Sequence, residues 1–185
     1  RKVYDRRKKS AGFSGTALEG QVRPMQLQPN GVCLVTGASS GIGRAIAESL
    51  LKRGMRVYGT SRHPAAETEN GIHMLPLDLS DAASVSAAID ELFRREGRID
   101  LLVNNAGAGI GGAVEDASPE DLRRQLDVAF FGHVLVTRAV LPRMRASGGG
   151  RILFTGSVAA GIPIPYQAMY SAAKAALRAF AAALA

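Results

Sequence analysis

Tryptophan is absent from this 185-residue chain, cysteine occurs once, histidine three times, and aromatic residues make up only 5% of the whole. So few aromatics argue against a base-stacking platform for nucleic acid. One cysteine rules out an intrachain disulfide, and Cys33 sits in an apolar run where a small buried hydrophobe is expected rather than a reactive thiol. A reducing, cytoplasmic setting is therefore the expectation. His63, His73 and His133 are scattered without ligand spacing, so no metal site is expected. Long hydrophobic runs are also missing: no stretch reaches membrane-spanning length, and the start does not resemble a secretory signal. With 46% hydrophobic residues and a mean hydropathy of +0.04, the composition is that of a water-soluble domain with a sizeable core.

Acidic residues are outnumbered, giving a formal net charge of +7, but the excess is local. Residues 1–24 carry +5 of it, through Arg1, Lys2, Arg6, Arg7, Lys8, Lys9 and Arg23 against Asp5 and Glu19. That segment is rich in glycine and lacks periodicity, so it reads as a disordered or extraneous tail, with Met25 a plausible native start. A basic arm for nucleic acid is the sharper alternative. Residues 25–185 read as one domain.

From residue 32 onward, strand-length apolar runs alternate with helical patterns. The strands expected are 32–36, 55–60, 72–77, 99–103 and 151–155, and the helices 42–53, 81–95, 118–146 and 167 to the end. Gly54 is expected to stop the first helix, and Ser80 or Asp81 and Ser118-Pro119 to start the later ones. This alternation implies an α/β fold: a doubly wound parallel sheet of Rossmann type, with helices on both faces and ligands bound at the carboxyl ends of the strands.

Thr36-Gly37-Ala38-Ser39-Ser40-Gly41-Ile42-Gly43 lies between the first strand and the first helix. Glycine-rich loops also serve as plain turns, but a loop joining an apolar strand to a helix can cradle a pyrophosphate on the helix amides. On this reading side chains at the three glycines would hold the phosphates away. Gly37, Ser39, Ser40, Gly41, Ile42 and Gly43 are thus the first cofactor-binding candidates.

The other candidates follow at later strand ends. Ser61-Arg62 after the second strand places a guanidinium where an acidic residue would bind the ribose hydroxyls of NAD; an arginine there suits the 2′-phosphate, favouring NADP(H) over NAD(H). Arg62 solvating a loop is the plainer alternative. Asp78-Leu79 follows the third strand, placed to meet an adenine or to cap the next helix. Asn105-Ala106-Gly107 follows the fourth, where small and amide-bearing residues can line a cofactor and tie strand ends together.

Thirteen residues after Ser157, at the end of the fifth strand, Tyr170 precedes Lys174 by one helical turn. That spacing puts phenol and ammonium on one face, where the cation can favour the tyrosinate. A free tyrosine near pKa 10 is a poor acid or base at neutral pH, so such a pairing suits proton transfer to or from a carbonyl oxygen.

In combination, the loop at Thr36 to Gly43, Asn104-Asn105-Ala106-Gly107, Ser157 and Tyr170-Ser171-Ala172-Ala173-Lys174 resemble the short-chain dehydrogenase/reductase family in order and spacing, from about residue 30 to the end. The resemblance implies that Tyr170 is the general acid or base and that Ser157 polarises the substrate oxygen. Lys174 would lower the pKa of Tyr170 and bind the nicotinamide ribose, with hydride passing between cofactor and a small carbonyl or alcohol substrate. It also implies a homo-oligomer; from the composition, no nucleic-acid or membrane partner is expected. Two departures stand out. Ala129 occupies the position of an asparagine that supports a water chain to the lysine in this family, which raises a catalytically weak nucleotide-binding or regulatory relative as the alternative. The sequence also stops before the family's last strands and substrate-covering loop, so the fifth strand is expected at a sheet edge, in a piece of a longer protein.

Overall fold

A computed structural model describes residues 28–184. The basic segment 1–24 and Met25 lie outside the described residues. The elements are β1 (Val32–Val35), α1 (Gly41–Lys52), β2 (Arg56–Ser61), β3 (Thr68–Glu69), β4 (Ile72–Pro76), α2 (Ala82–Glu96), β5 (Leu101–Asn104), α3 (Pro119–Leu126), α4 (Gly132–Ala146), β6 (Arg151–Phe154) and α5 (Ala168–Ala183).

Alternating side chains of the strands feed two cores. On one face Val32, Leu34 and Leu102 meet Ile89 and Leu92 of α2 and Val136 and Val140 of α4. On the other, Cys33, Val35, Val57 and Val103 meet Ala47 and Leu50 of α1. Every one of these side chains is buried, which is why β1 and β5 read as unbroken apolar runs. Burial pushes the Cys33 thiol up to about 12, consistent with an inert core residue.

The sheet order is β3-β4-β2-β1-β5-β6. Neighbours pair in parallel except β3, which runs antiparallel to β4. From β1 the chain winds outward through β2 and β4, then returns to the other side of β1 with β5 and β6. The reversal between β1 and β5 creates a crevice at the carboxyl edge.

Two expectations need correction. The two-residue β3 has no run long enough to register as a period; it exists because Asn70 and Gly71 take positive φ values of 51° and 82° and close a tight turn onto β4. The single helix expected over 118–146 is divided by a π-helical segment, Asp127–Phe131. Just after it, Gly132 lies so close to the segment following β4 that a Cβ would stand 2.5 Å from Leu79 Cβ and 2.7 Å from its carbonyl oxygen. The wider turn accommodates that approach.

Caps follow the chemistry of the sequence. Asp81 accepts from Ala83 N at 2.9 Å and Ser118 from Asp121 N at 3.1 Å, whereas Ser80 takes no part in capping. Gly54, at φ 81°, follows the end of α1. β6 lies at the sheet edge, with Arg151 and Leu153 exposed.

Candidate active site

The loop after β1 begins at Thr36, whose side chain turns back into the sheet. Its hydroxyl accepts from the amides of Asn105 at 2.9 Å and Ala106 at 3.0 Å, binding the end of β1 to the end of β5. Asn105 completes the tie: its amide donates to Thr36 O at 3.1 Å, and its side-chain oxygen accepts from Thr155 Oγ1 at 3.1 Å. The Asn105 side chain is thereby spent on joining three strand ends, leaving Ala106 and Gly107 to line the crevice.

Glycine is required in this loop for reasons that lie outside any local pattern. A Cβ on Gly43 would stand 2.1 Å from Gly37 O, and one on Gly37 would stand 2.9 Å from Ala106 Cα, so both positions are reserved for protein backbone rather than for a ligand. At Gly41 nothing lies within 4 Å; what selects glycine there is a φ of 55°. Ser39, Ser40, Gly41 and Ile42 are all exposed, and Ser40 makes no side-chain cap to α1. The first-turn amides of α1 are therefore presented outward with their partial positive charge uncapped, which fits a diphosphate.

Ser61 closes β2, its Oγ accepting from His63 N at 3.3 Å, and Arg62 is exposed beside it. Among the described residues, no carboxylate forms an ion pair with Arg62. The guanidinium at this strand end fits a phosphate monoester better than a pair of ribose hydroxyls. Asp78 does not cap a helix: its Oδ1 accepts from Ser80 N at 2.9 Å and Ser80 Oγ at 2.6 Å. Those hydrogen bonds hold its carboxyl below the ordinary carboxylate range, with help from Arg62 and Arg124. Leu79 is core, and its carbonyl oxygen packs against Gly132.

On the other side of the crevice, Ser157 opens a 3-10 turn and its Oγ accepts from Ala159 N at 3.2 Å, leaving the hydroxyl proton free to donate. Tyr170 is half-buried in the first turn of α5, and Lys174, one turn on, is 5% exposed. Lys174 Nζ donates to Thr155 O at 2.8 Å and lies 5.9 Å from the centroid of the Tyr170 ring. Burial lowers the pKa of this lysine, an effect that Tyr170 opposes. Lys174 is thus anchored to the end of β6, which Ser157 follows, and lies beside the Tyr170 ring.

Three residues that hold this site are not signalled by the motifs. Gln125 of α3 is 3% exposed; its Oε1 accepts from Ile110 N at 2.6 Å and its Nε2 donates to Ala108 O at 2.8 Å. Between those two anchors lies Gly109, where a Cβ would stand 3.2 Å from Tyr170 Cδ2. The third is His133, fully buried, with Nδ1 3.3 Å from Asn104 Oδ1 and Nε2 without a partner. A glutamine on the apolar spacing Leu122, Gln125, Leu126, Ala129 was the available signal for the first; a lone glycine or histidine in sequence signals nothing.

Among the described residues, no group of three His, Cys, Asp or Glu side chains is placed to hold a metal, and no helix is long and apolar enough to cross a membrane. Nearby apolar exposure is substantial. Val158 and Ile162 are each 68% exposed, and Ile110, Val114, Leu122, Tyr166 and Met169 line a shallow hollow next to Tyr170.

Comparison with known proteins places this geometry. Residues 31–185 match the family model described as short chain dehydrogenase. A 3-ketodihydrosphingosine reductase of Bacteroides thetaiotaomicron is 43% identical over 159 residues, covering 86% of this chain and 58% of that protein. A short-chain dehydrogenase from Streptomyces avermitilis superposes with a TM-score of 0.79 at 37% identity, over 84% of this chain and 60% of that one. A 3-ketoacyl-(acyl-carrier-protein) reductase from Brucella melitensis, solved in complex with NADH, superposes with a TM-score of 0.78 at 34% identity, over 84% and 69%. The chain thus spans little more than half the length of the curated relative. With the family model extending over most of the sequence, the chain belongs to the short-chain dehydrogenase/reductase family.

Proposed function

We propose that this chain carries the cofactor-binding and catalytic part of an NADP(H)-dependent oxidoreductase that interconverts a carbonyl and a secondary alcohol. The observation that carries the reading is the placement of a buried Lys174 ammonium, hydrogen-bonded to Thr155 O, next to the half-buried Tyr170 ring. The uncapped N-terminus of α1, after the glycine loop, supports the phosphate half of the reading.

The uncapped amides of α1 with Ser39, Ser40, Gly41 and Ile42 would hold the diphosphate, and Arg62 the 2′-phosphate of NADP. Asp78 and the Leu79 backbone would meet the adenine, and Ala106 and Gly107 would border the nicotinamide side. A nicotinamide held there would supply the hydride for reduction or accept it for oxidation. Tyr170 gives its phenolic proton to the substrate oxygen during reduction and takes it back during oxidation. Ser157, with its oxygen occupied by Ala159 N, directs its own proton to that same oxygen and stabilises the charge developing there. Lys174 lies beside the Tyr170 ring, and its protons not spent on Thr155 O would be available to the ribose hydroxyls of a bound nicotinamide nucleotide.

The exposed Val158 and Ile162 and the hollow beneath Tyr166 support a substrate whose carbonyl is attached to an apolar body. Similarity to a 3-ketodihydrosphingosine reductase supports a ketone. A cytoplasmic homo-oligomer completes the proposal, the first part supported by the inert, buried Cys33 and the second by family resemblance.

Thermal-shift titration with NADPH and NADH, followed by turnover of a panel of apolar ketones, tests this. Stabilisation by NADPH above NADH, and a loss of about 10²- to 10⁴-fold in kcat for Tyr170→Phe, are expected. Ala129 favours one other reading, a nucleotide-binding relative with weak catalysis. That reading predicts NADPH binding with no turnover for Tyr170→Phe to remove.

A further inference from the structure

Among the described residues, three other than glycine hold positive φ: Asn30 at 62°, Asn70 at 51° and Tyr166 at 60°. Asparagine enters that region readily, but a tyrosine does so only under strain, because its Cβ crowds the following carbonyl oxygen. The fold uses the conformation. Tyr166 O accepts from Gly112 N at 2.8 Å, which ties the segment before α5 to the segment after β5. That bond involves backbone alone, so glycine or asparagine at 166 would serve it without the strain.

Packing does not call for a tyrosine either, since the residue is 73% exposed. Yet the segment that presents it is stiff. Pro163 and Pro165 fix their own φ and keep the residues before them out of helical backbone. Ile164 N donates to Ser171 Oγ at 3.3 Å, and Gln167 N donates to Ile164 O at 3.1 Å. Ser171 is buried and follows Tyr170 directly in α5, so the segment is fastened next to the phenol.

A strained residue whose side chain neither the backbone nor the core requires marks a functional position. Its surroundings say which function. Tyr166 lines the shallow hollow together with Ile110, Val114, Leu122 and Met169, and Met169 adjoins Tyr170 in the chain. Charge enters that lining only as the exposed carboxylates of Asp116 and Asp121, which favour an uncharged hydrocarbon occupant over an acid. We infer that Tyr166 is a specificity-determining residue, its ring forming an apolar wall along which the hydrocarbon chain of a ketone lies while the carbonyl is at Tyr170, so that long-chain ketones are selected over short ones. The inference deepens the proposed carbonyl and alcohol chemistry and rests on it for turnover; the contact between ring and chain is read without turnover.

The test uses the full chain with NADPH and two ketones, 2-decanone and 2-butanone. Tyr166→Asn keeps the left-handed backbone and removes the ring. Its melting temperature should hold or rise, while kcat/KM for 2-decanone falls about tenfold, mainly through KM, and that for 2-butanone changes little. Tyr166→Phe should retain the preference, because the ring and not the hydroxyl makes the wall. A lower melting temperature with an unchanged ratio between the two ketones would reduce the ring to packing and overturn the inference. Equal losses for both ketones would overturn it too, by placing the effect on Tyr170. Binding is read separately by fluorine-19 NMR of the chain carrying 3-fluorotyrosine: the line that Tyr166→Phe removes should move when 2-decanone is added and stay in place with 2-butanone. A line indifferent to 2-decanone would overturn the contact. Absence of turnover for both ketones, with that line still moving, would sink the catalytic reading and leave the contact standing.

Discussion

Gly109 lies directly against the Tyr170 ring, with room for a hydrogen but not comfortably for a methyl group, since a Cβ there would stand 3.2 Å from Tyr170 Cδ2. The glycine is held in place by Gln125, which bonds the residue on either side of it. Gly109→Ala should displace the phenol by a few tenths of an ångström and lower kcat more than it raises KM, and Gly109→Val should do so more severely. Gln125→Leu releases the same loop and leaves the Ala108 carbonyl and the Ile110 amide without their partners; a loss of about 1–3 kcal/mol in stability is expected along with the drop in kcat. Steady-state kinetics and urea denaturation check both. A KM effect alone would place Gly109 with the substrate rather than with Tyr170.

The proposed preference for NADP(H) rests on Arg62. Charge-assisted bonds to a phosphate are worth about 1.5–3 kcal/mol, so Arg62→Ala should weaken NADPH by roughly tenfold or more and leave NADH within a small factor. Arg62→Asp should go further and reverse the preference, because a carboxylate repels the 2′-phosphate and accepts from ribose hydroxyls. Isothermal titration with both nucleotides reads this directly. Equal losses for NADPH and NADH would mean that Arg62 does not contact the 2′-phosphate.

The architecture was legible because its signals are local and repeated. Val32-Cys33-Leu34-Val35 and Leu101-Leu102-Val103 are buried on both faces, and a strand in that position has to be apolar throughout. Tyr170 and Lys174 were legible because one helical turn brings them together whatever surrounds the helix. What stayed hidden depends on contacts between distant segments. Gly43 is glycine because Gly37 O and the Asn105 amide press against it, Gly132 because Leu79 does, and no window of sequence contains both partners. His133 looks like any buried imidazole until Asn104 is seen to occupy only one of its nitrogens.

The glycine loop yields a contrast between neighbours. Gly43→Ala forces a Cβ to 2.1 Å from a backbone oxygen, which no side-chain adjustment relieves. Unfolding, or a loss well above ~3 kcal/mol, is expected. Gly41→Ala meets open space and suffers only its positive φ, at a cost of about 1 kcal/mol. Its added methyl projects from the face offered to the diphosphate, so NADPH affinity should fall while the melting temperature hardly moves. Similar destabilisation by the two substitutions would contradict the close packing of Gly43.

Acid should destabilise the protein in a window set by His133. Its pKa falls from 6.5 to about 4 on folding, through burial first and the Lys174 charge second. Between those values the unfolded chain binds more protons than the folded one, so stability is full above the unfolded pKa and declines as pH falls from 6.5 toward 4. A displacement of that size corresponds to a loss of about 3 kcal/mol across the window. Glu91, drawn down to about 2 by hydrogen bonds from Arg94 and Arg95, titrates in the unfolded chain only near 4.5 and below, so its contribution is added at the acid end. Chemical denaturation at pH steps from neutral to 4 should show the decline, and His133→Phe should flatten its upper part. A decline that begins only near the carboxylate range, unchanged by His133→Phe, would show that the imidazole remains accessible to protons in the folded state.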